Sequence, residues 1–317
     1  MIIVAQDGSG AFDSIQEAID SIQMLPETIF VKKGTYHERL EIRSPFLTIE
    51  GEDKENTILE YDYYANMMIG EEKRGTFRSY TMFINTDYFT CKNMTIANTA
   101  GFGTDVGQAI AVYAEGDKIA FENCRLLGHQ DTLFTGPLPR EAASAGGFRG
   151  PTEHAVRKIG RQLYKDCYIE GEVDFIFGSA IAYFDNCELH SLNRHMEVNG
   201  YVTAASSYAE QKYGYVFNKC RFTSDCPDNT VYLGRPWRIY AKTILLECEL
   251  GPHIIKEGFH DWNKPESHET VDYAEYKCSG AGYTPNERAS FVRQLTDSEA
   301  EEFTFEKVYN SKPIEAN

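Results

Sequence analysis

The sequence lacks a long apolar run, an excess of basic residues and the cysteine spacing of a zinc site. None of its apolar runs is long enough to span a bilayer, so we expect no membrane segment. The net charge of -17 at pH 7 argues against DNA or RNA as a partner, because phosphate binding needs clustered basic side chains. A polyanionic ligand could bind only in a locally basic cleft. The eight cysteines include no Cys-x-x-Cys pair, which makes a metal site unexpected.

The chain also lacks a Pro-, Gly- or Ser-rich linker and a recognisable leader segment. The absence of a linker predicts one domain over residues 1–317. The first residues contain neither the basic region nor the apolar core of a signal peptide. We therefore expect a cytoplasmic protein, with a secreted protein whose leader has been removed as the alternative. We also expect a monomer.

One strand-sized segment recurs along the chain with a cysteine at its fourth position. Apolar and polar residues alternate around that cysteine, which is the pattern of a half-buried strand. The copies are 121–126, 164–169, 184–189, 217–222 and, more loosely, 245–250, and Met94 takes the cysteine position in an earlier copy. The distance between copies varies, so the connecting loops differ in length while the strands recur. This arrangement predicts a solenoid in which each coil pairs with the next.

The recurring cysteines admit two interpretations. In a solenoid they would lie above one another as small apolar side chains in the core. Disulfide bonds in a secreted protein are the alternative. We favour stacked thiols, because the repeat gives each cysteine an equivalent inward position.

Two short helices are predicted near the ends of the chain. Ser14 and Glu17 form the pattern of a capping box ahead of an apolar face, and Thr296 and Glu299 form a second one. A solenoid needs covers, because an open terminal coil exposes a sheet edge. We therefore expect these helices to close the two ends.

Asp131 and Asp174 each lie among apolar neighbours. A carboxylate in such surroundings is costly to desolvate unless something pairs with it. Two such sites predict a working pair of acids, one ionised and one able to carry a proton. His129 stays outside this set, because no Gly-x-Ser-x-Gly elbow is present to supply a serine nucleophile.

A third segment, 233–237, offers partners for these acids and for a ligand. Arg235 could hold one aspartate charged, and Trp237 offers a flat apolar face to a sugar ring. Structural alternatives remain at this point. Asp174 and Arg235 could form an ion pair for stability alone, and Asp131 could serve as a turn residue.

Taken together, these segments resemble those of the pectin methylesterases (pectinesterases), carbohydrate esterases with a right-handed parallel β-helix. The likeness extends over almost the whole chain, and the order of the segments makes it specific. The matching segments are 4–10, 75–79, 98–101, 107–109, 130–132, 174–178, 233–237 and 273–277. The resemblance implies an all-β, single-stranded right-handed parallel β-helix with short capping helices.

The resemblance also implies a role for each catalytic residue. Asp174 matches the family's nucleophile, which attacks the C6 methyl ester of a galacturonate and forms an acyl-enzyme. Arg235 matches the arginine that would keep that nucleophile ionised and aimed. Asp131 matches the general acid, which protonates the departing methoxide and later activates water.

Gln108 and Gln130 match the pair of amides that stabilises the oxyanion of the tetrahedral intermediate. Uncharged amide donors suit that task, because they do not quench the nucleophile. The alternative is a ladder of buried glutamines that bond between coils. Since side chains supply every role, we expect no metal and no organic cofactor.

Several further residues are predicted to contact substrate. Trp237 is the main candidate, because it belongs to a matching segment. Thr76 lies in another matching segment, and Phe134, Phe175 and Tyr201 could line a groove for sugar rings.

The stretch 136–160 is longer than the corresponding part of the plant-type members of the family. Its Gly and Pro content predicts a loop that joins the two catalytic segments and borders the cleft. Arg149 and Arg157 are predicted to contact free carboxylates on partly de-esterified substrate. An exposed loop with solvated charges is the alternative.

The sequence therefore predicts a pectinesterase that converts methylated homogalacturonan to pectate and methanol. Its partner would be pectin or a methylated oligogalacturonide. One alternative is a pectate lyase or polygalacturonase on the same fold, and a lyase would use a cluster of acidic calcium ligands. The other is a pectin-binding solenoid without turnover.

Overall fold

The computed structural model describes residues 1–142 and 144–316. Three parallel sheets run along the molecule, and the chain visits them in turn, so that each circuit makes one coil of a right-handed parallel β-helix. Neighbouring strands in a sheet come from successive coils, as in the parallel pairing of Thr90–Lys92 with Ile119–Glu122. The predicted all-β solenoid is confirmed.

Within the described residues, the first sheet has eleven strands, in the order Ile2–Val4, Glu27–Val31, Leu47–Gly51, Thr90–Lys92, Ile119–Glu122, Arg161–Lys165, Ile181–Asp185, Tyr215–Asn218, Lys242–Leu246, Asp272–Tyr276 and Val292–Gln294. The second sheet consists of Gly34–His37, Thr57–Tyr61, Thr95–Asn98, Arg125–Leu127, Tyr168–Gly171, Glu188–Ser191, Arg221–Ser224 and Glu249–Leu250. The third sheet consists of Leu40–Ile42, Met82–Asn85, Val112–Glu115, Leu133–Thr135, Val173–Gly178, Gly200–Ala205 and Val231–Gly234.

Short elements complete the chain. Two antiparallel pairs join Met68–Ile69 to Glu72–Lys73 and Arg157–Ile159 to Ile314–Ala316. The α-helices are Ile15–Asp20, Gly103–Val106, Asp297–Ala300 and Phe305–Tyr309, and the 3-10 helices are Thr76–Arg78, Pro265–Glu269 and Glu301–Phe303. No helix among the described residues combines the length and apolar character that a membrane crossing requires.

Aromatic residues at the first position of the repeat stack inside the solenoid. The rings of Phe121 and Tyr164 lie 5.4 Å apart, those of Tyr164 and Phe184 4.7 Å apart, and those of Phe184 and Phe217 4.5 Å apart. The two rings of each pair are nearly parallel, because parallel strands in register place equivalent side chains directly above one another. This continuous column of rings forms part of the main hydrophobic core.

A left-handed residue precedes each cysteine of the repeat and turns the chain from the first sheet into the second. Asn123 has φ 52° and Asn186 has φ 53°, a conformation that asparagine adopts more readily than most residues. The turn directs Cys124 and Cys187 inward, and both are buried. All eight cysteines are free. The cysteines of the repeat stack as expected, because each thiol donates to the carbonyl of the first repeat residue in the preceding coil, as Cys167 does to Phe121 and Cys220 to Phe184.

The N-terminal helix Ile15–Asp20 covers the first coils, as expected. Its N-cap Ser14 accepts a hydrogen bond from the backbone of Glu17, and Ile15, Ala18 and Ile19 face the core. The carboxylate of Glu38 also accepts from the first backbone amides of the helix.

The C-terminal helices occupy a different place from the one expected. Thr296 and Glu299 form a complete capping box at the start of Asp297–Ala300. That helix and Phe305–Tyr309 pack against the outer face of the first sheet instead of covering the last coil. The reason is that this outer face is apolar, with residues such as Tyr183 and Val216 that need cover from water.

A second apolar cluster lies on the outer face of the third sheet. Phe83, Tyr113, Phe134 and Phe177 occupy equivalent positions on neighbouring strands. The stretch around Phe77 and the loop 136–160 cover them. The candidate site lies on this side of the solenoid.

Candidate active site

Adjacent coils of the third sheet bring Asp131 and Asp174 together. The backbone amide of Asp131 donates to the carbonyl of Val173 at 3.1 Å, so the two aspartates belong to neighbouring positions on successive coils. Each is 7% exposed, and both line one cleft. The structure therefore brings together two acids that lie far apart in the chain.

An unusual backbone conformation directs both carboxyl groups into the cleft. Asp131 has φ 66° and Asp174 has φ 52°, in the left-handed region where a residue other than glycine is strained. The register between Val173–Gly178 and Gly200–Ala205 also shifts between Val173 and Ile176. Such strain costs roughly 1–3 kcal/mol per residue and persists only where the surroundings enforce it, which occurs most often at functional sites.

Arg235 holds Asp174 through two hydrogen bonds. Its Nε donates to Oδ1 at 2.9 Å and its Nη2 donates to Oδ2 at 2.8 Å. The guanidinium lies between two rings, 3.9 Å from the centre of Tyr201 and 3.7 Å from the centre of Trp262. The two rings and the two hydrogen bonds hold the guanidinium in place, and its planar fork orients the carboxylate of Asp174.

The two aspartates differ in their charge environment. Burial raises the pKa of Asp131 well above its ordinary value, the negative charge of Asp174 raises it further, and Arg235 opposes these effects only in part. Burial also raises the pKa of Asp174, but the hydrogen bonds and charge of Arg235 counter that effect directly. The pKa of Asp131 is thus raised further than that of Asp174, which favours the proton on Asp131 and the charge on Asp174.

Gln108 and Gln130 line the same cleft with their amide side chains. Among the residues that the structure describes, neither amide has a hydrogen-bond partner, so both can donate to a ligand. The Gln130 side chain packs closely on Gly103, where an added Cβ would lie 2.7 Å from the Gln130 Cβ. This contact restricts where the Gln130 amide can point.

Aromatic side chains form a wall of the cleft. Trp237 stacks on Phe77 with 6.5 Å between ring centres, and Phe148 meets Trp237 edge-on at 6.1 Å. Phe148 belongs to the loop 136–160, which thus borders the cleft. Thr76 also lines the cleft.

Two aromatic residues that the sequence predicts as substrate contacts do not reach the cleft. Phe175 is wholly buried in the main core, because it follows Asp174 in a strand and points to the opposite side. Phe134 is wholly buried beneath Phe77 and Phe177, at ring distances of 5.2 and 5.0 Å. Both predictions are corrected. Tyr201 lies behind Arg235 and supports it.

Arg149 and Arg157 have partners within the protein, and their contact with substrate carboxylates stays a prediction. Arg149 pairs with Glu72 on the neighbouring antiparallel hairpin. Arg157 donates to the carbonyls of Thr152 and Glu153 at 2.7 and 2.8 Å and so holds its own loop together. Neither arginine lines the cleft.

Three residues near the cleft escaped the sequence analysis. Trp262 covers Arg235, and Arg238 and Lys264 lie beside Trp237. The available signal was composition, because Trp262 is one of two tryptophans in the chain and a lysine follows it closely. No group of three or more His, Cys, Asp or Glu side chains in the described ranges is arranged to hold a metal ion.

The chain matches known proteins over most of its length. The family model described as Pectinesterase matches residues 1–138 and 152–312. Pectinesterase 31 of Arabidopsis thaliana is 33% identical over 317 residues, which cover 96% of this chain and 90% of that protein. Pectinesterase 2 of Olea europaea is 35% identical over 314 residues, which cover 95% of this chain and 76% of that protein.

Solved structures of the same kind of protein superpose closely. Pectin methylesterase PemA from Erwinia chrysanthemi has a TM-score of 0.81 at 29% identity, with 98% of this chain and 97% of that chain covered. Pectin methylesterase from carrot has a TM-score of 0.82 at 26% identity, with 97% and 92% covered. The gap in the family match, 139–151, falls inside the loop that borders the cleft.

Proposed function

The chain belongs to the pectinesterase family of carboxylic ester hydrolases, and we propose that it cleaves C6 methyl esters of galacturonate in pectin with Asp174 as nucleophile. Asp131 is the general acid and base of the same reaction. The observation that carries this proposal is that two buried acids in one cleft have different partners and different pKa shifts. Only Asp174 has a bidentate arginine partner, and burial raises the pKa of Asp131 further than that of Asp174.

The first step is attack on the ester. An ionised oxygen of Asp174 adds to the C6 carbonyl carbon, and the carbonyl oxygen takes up the negative charge. The unpartnered amides of Gln108 and Gln130 face the cleft and can donate to that oxygen. Arg235 keeps the attacking carboxylate aimed while the bond forms.

The second step is loss of methanol. The carbon–oxygen bond to the methoxy group breaks, and the proton of Asp131 moves to the departing oxygen. The C6 carbon is then joined to Asp174 as a mixed anhydride, which is the acyl-enzyme. Asp131 is left as a carboxylate in a buried site, where it is a stronger base than an exposed aspartate.

Water completes the cycle. The carboxylate of Asp131 removes a proton from water, which adds to C6 and releases the free acid of the sugar. Asp174 returns as a carboxylate on Arg235, and Asp131 is protonated again. The aromatic wall around Trp237 offers its rings to the apolar faces of the sugars.

The test is release of methanol from methylated pectin by three variants. We expect Asp174→Asn and Asp131→Asn to lose at least about a thousandfold in kcat, because each removes a group that acts directly on the ester. Asp166→Asn is the matched control, since Asp166 is an exposed aspartate with φ 54° far from the cleft. Wild-type rates in a folded Asp174→Asn protein would overturn the mechanism.

A further inference from the structure

A buried glutamate lies under the loop 136–160, apart from the reacting groups. Glu115 ends the strand Val112–Glu115 of the third sheet, and Tyr113, two residues before it, belongs to the apolar cluster on the outer face of that sheet. Because side chains alternate along a strand, Glu115 and Tyr113 point to the same face. Glu115 is 6% exposed and does not line the cleft, and the proposed reaction gives it no role.

A chain of hydrogen bonds joins this glutamate to the loop. Oγ1 of Thr152 donates to Oε2 of Glu115 at 2.7 Å, and the same Oγ1 lies 2.6 Å from the hydroxyl oxygen of Tyr113. Since the single hydroxyl proton of Thr152 goes to Glu115, Tyr113 is the donor in the second bond. All three side chains are buried. We call Tyr113, Thr152 and Glu115 the loop anchor.

The loop anchor contains an acid where an apolar side chain would cost less. Burial raises the pKa of Glu115 to about 6, while Thr152, Arg157 and Tyr113 act in the opposite direction. A hydrocarbon side chain at this position would extend the apolar cluster without the cost of burying a carboxyl group. A buried acid of this kind indicates that its hydrogen bonds do more than fill the core.

Two buried contacts fix the residues on either side of the stretch 139–151, which the family model does not match. On one side the hydroxyl of Tyr208 donates to the carbonyl of Leu138 at 2.7 Å. On the other side Thr152 is held twice, by its side chain in the loop anchor and by its backbone carbonyl, which accepts from Arg157 at 2.7 Å. The loop anchor is thus one of two attachment points for this stretch.

A short segment connects Thr152 to the aromatic wall of the cleft. Gly150 packs so closely on Phe77 that an added Cβ would lie 2.7 Å from the Phe77 Cβ. Phe148 meets Phe77 at 5.7 Å and Trp237 at 6.1 Å between ring centres, both edge-on. Phe148 and Trp237 line the cleft. The segment 148–152 therefore runs from the wall of the cleft to the loop anchor.

We propose that the loop anchor positions Phe148 against Trp237 and so completes the surface that binds the sugar rings. Its members are positioning residues, since none of them lines the cleft. This inference rests on the proposed function, because the wall binds a sugar only if the substrate is pectin. The bonds between Arg235 and Asp174 do not involve the loop, so loss of the loop anchor should weaken substrate binding and spare the chemical step.

The test compares KM and kcat for methanol release from fully methylated pectin. Thr152→Val removes the hydroxyl and keeps the shape, Thr152→Ser keeps the hydroxyl, and Glu115→Leu removes the acceptor. Phe148→Ala removes the ring that the loop anchor holds. Thr95→Val is the matched control, because Thr95 is an equally buried threonine of the second sheet whose hydroxyl donates to the carbonyl of Lys54.

We expect Phe148→Ala to raise KM about tenfold, because the ring and its edge-on contact with Trp237 are lost. Thr152→Val and Glu115→Leu should each raise KM about fivefold, the effect of one lost hydrogen bond. In these three variants kcat should stay within roughly twofold of the wild type, and Thr152→Ser and Thr95→Val should match the wild type. Adding Thr152→Val to Phe148→Ala should raise KM no further, since both changes act on the same ring.

Tryptophan fluorescence measures the position of Phe148 without turnover. The chain has two tryptophans, so Trp262→Phe leaves Trp237 as the only one. On this background Thr152→Val should increase the quenching of Trp237 by acrylamide, because the covering ring of Phe148 is displaced. Thr152→Ser should leave the quenching unchanged.

Three results would each overturn the proposal: an unchanged KM in Thr152→Val, a KM effect that adds in full to that of Phe148→Ala, or equal quenching in Thr152→Val and Thr152→Ser. The proposed function fails in a different way, with no methanol released by the wild type. In that case the quenching of Trp237 still decides whether the loop anchor positions Phe148.

Discussion

The buried carboxylate of Glu172 connects the two catalytic segments through His129. Nδ1 of His129 lies 3.1 Å from Oε1 of Glu172, and the other carboxylate oxygen accepts from the backbone amide of Gly103 at 3.0 Å. Each partner of this pair lies two residues before a catalytic aspartate. We therefore expect His129 to act as a positioning residue, a role that its sequence context did not reveal.

The pair predicts coupled effects on stability and turnover. Glu172→Ala should lower the free energy of unfolding by about 3 kcal/mol, because it leaves His129 and the Gly103 amide without their buried acceptor. The Glu172→Gln variant keeps an acceptor and should lose less. In both variants kcat should fall more than KM rises, because the two aspartates are displaced while the aromatic wall around Trp237 stays in place.

Denaturant unfolding and steady-state kinetics of these variants test this prediction. A double-mutant cycle of Glu172→Gln with His129→Phe should give a coupling energy of about 1 kcal/mol. Additive effects of the two substitutions would show that the contact between Glu172 and His129 does not stabilise the protein.

Arg235→Lys should lower kcat/KM by about a hundredfold. A lysine keeps the charge but loses the bidentate geometry and the stacking between Tyr201 and Trp262, so Asp174 is no longer held in one orientation. Arg125→Lys is a suitable control, because Arg125 lies over Tyr168 in the second sheet. An Arg235→Lys enzyme with wild-type kinetics would mean that charge alone suffices.

The pH profile of kcat/KM should be bell-shaped. On the acid side activity falls as Asp174 becomes protonated and stops being a nucleophile. On the alkaline side it falls as Asp131 loses its proton, and burial together with the charge of Asp174 places this limb well above the usual range for an aspartate. A profile that stays flat on the alkaline side would contradict the assignment of Asp131 as the acid.

Asp131→Asn should be more stable than the wild type at neutral pH. The pKa of Asp131 is higher in the folded than in the unfolded protein, so its ionisation disfavours the folded state. This cost is absent below the ordinary pKa of an aspartate and grows as the pH rises toward the folded pKa. Removing the acid should therefore add about 1 kcal/mol or more at pH 7.

Thermal or denaturant unfolding of Asp131→Asn at pH 3 and pH 7 measures this effect. The stabilisation relative to wild type should shrink toward zero at the lower pH. Equal stabilisation at both values would point to packing and not to ionisation.

Much of the fold could be predicted from the sequence because the repeat is local. The alternation around each cysteine specifies one strand and one turn, and stacking of equivalent strands follows from it. The position of the C-terminal helices could not be predicted in this way. It depends on which outer face is apolar, and that face is formed by strands that are distant in the sequence.

The site, too, could be predicted where the signal is local in the sequence, and could not where it depends on contacts between distant segments. Five residues predicted from the segments that match the family line the cleft: Gln108, Gln130, Asp131, Asp174 and Arg235. The errors concern side chains whose surroundings depend on other coils. Phe134, for example, is covered by Phe77, which lies more than fifty residues earlier in the chain.

In the proposed mechanism Asp174 becomes covalently attached to the substrate. Asp131 donates a proton to the leaving group and later accepts one from water. The most direct test uses Asp131→Asn with a trigalacturonide that carries a nitrophenyl ester, whose leaving group needs no proton. Without a base to activate water, the acyl-enzyme should accumulate. The mass of the intact protein should then increase by one trigalacturonyl group, and peptide mapping should locate that group on Asp174. Release of nitrophenol from this variant with no such adduct, or with the adduct on another residue, would contradict the mechanism.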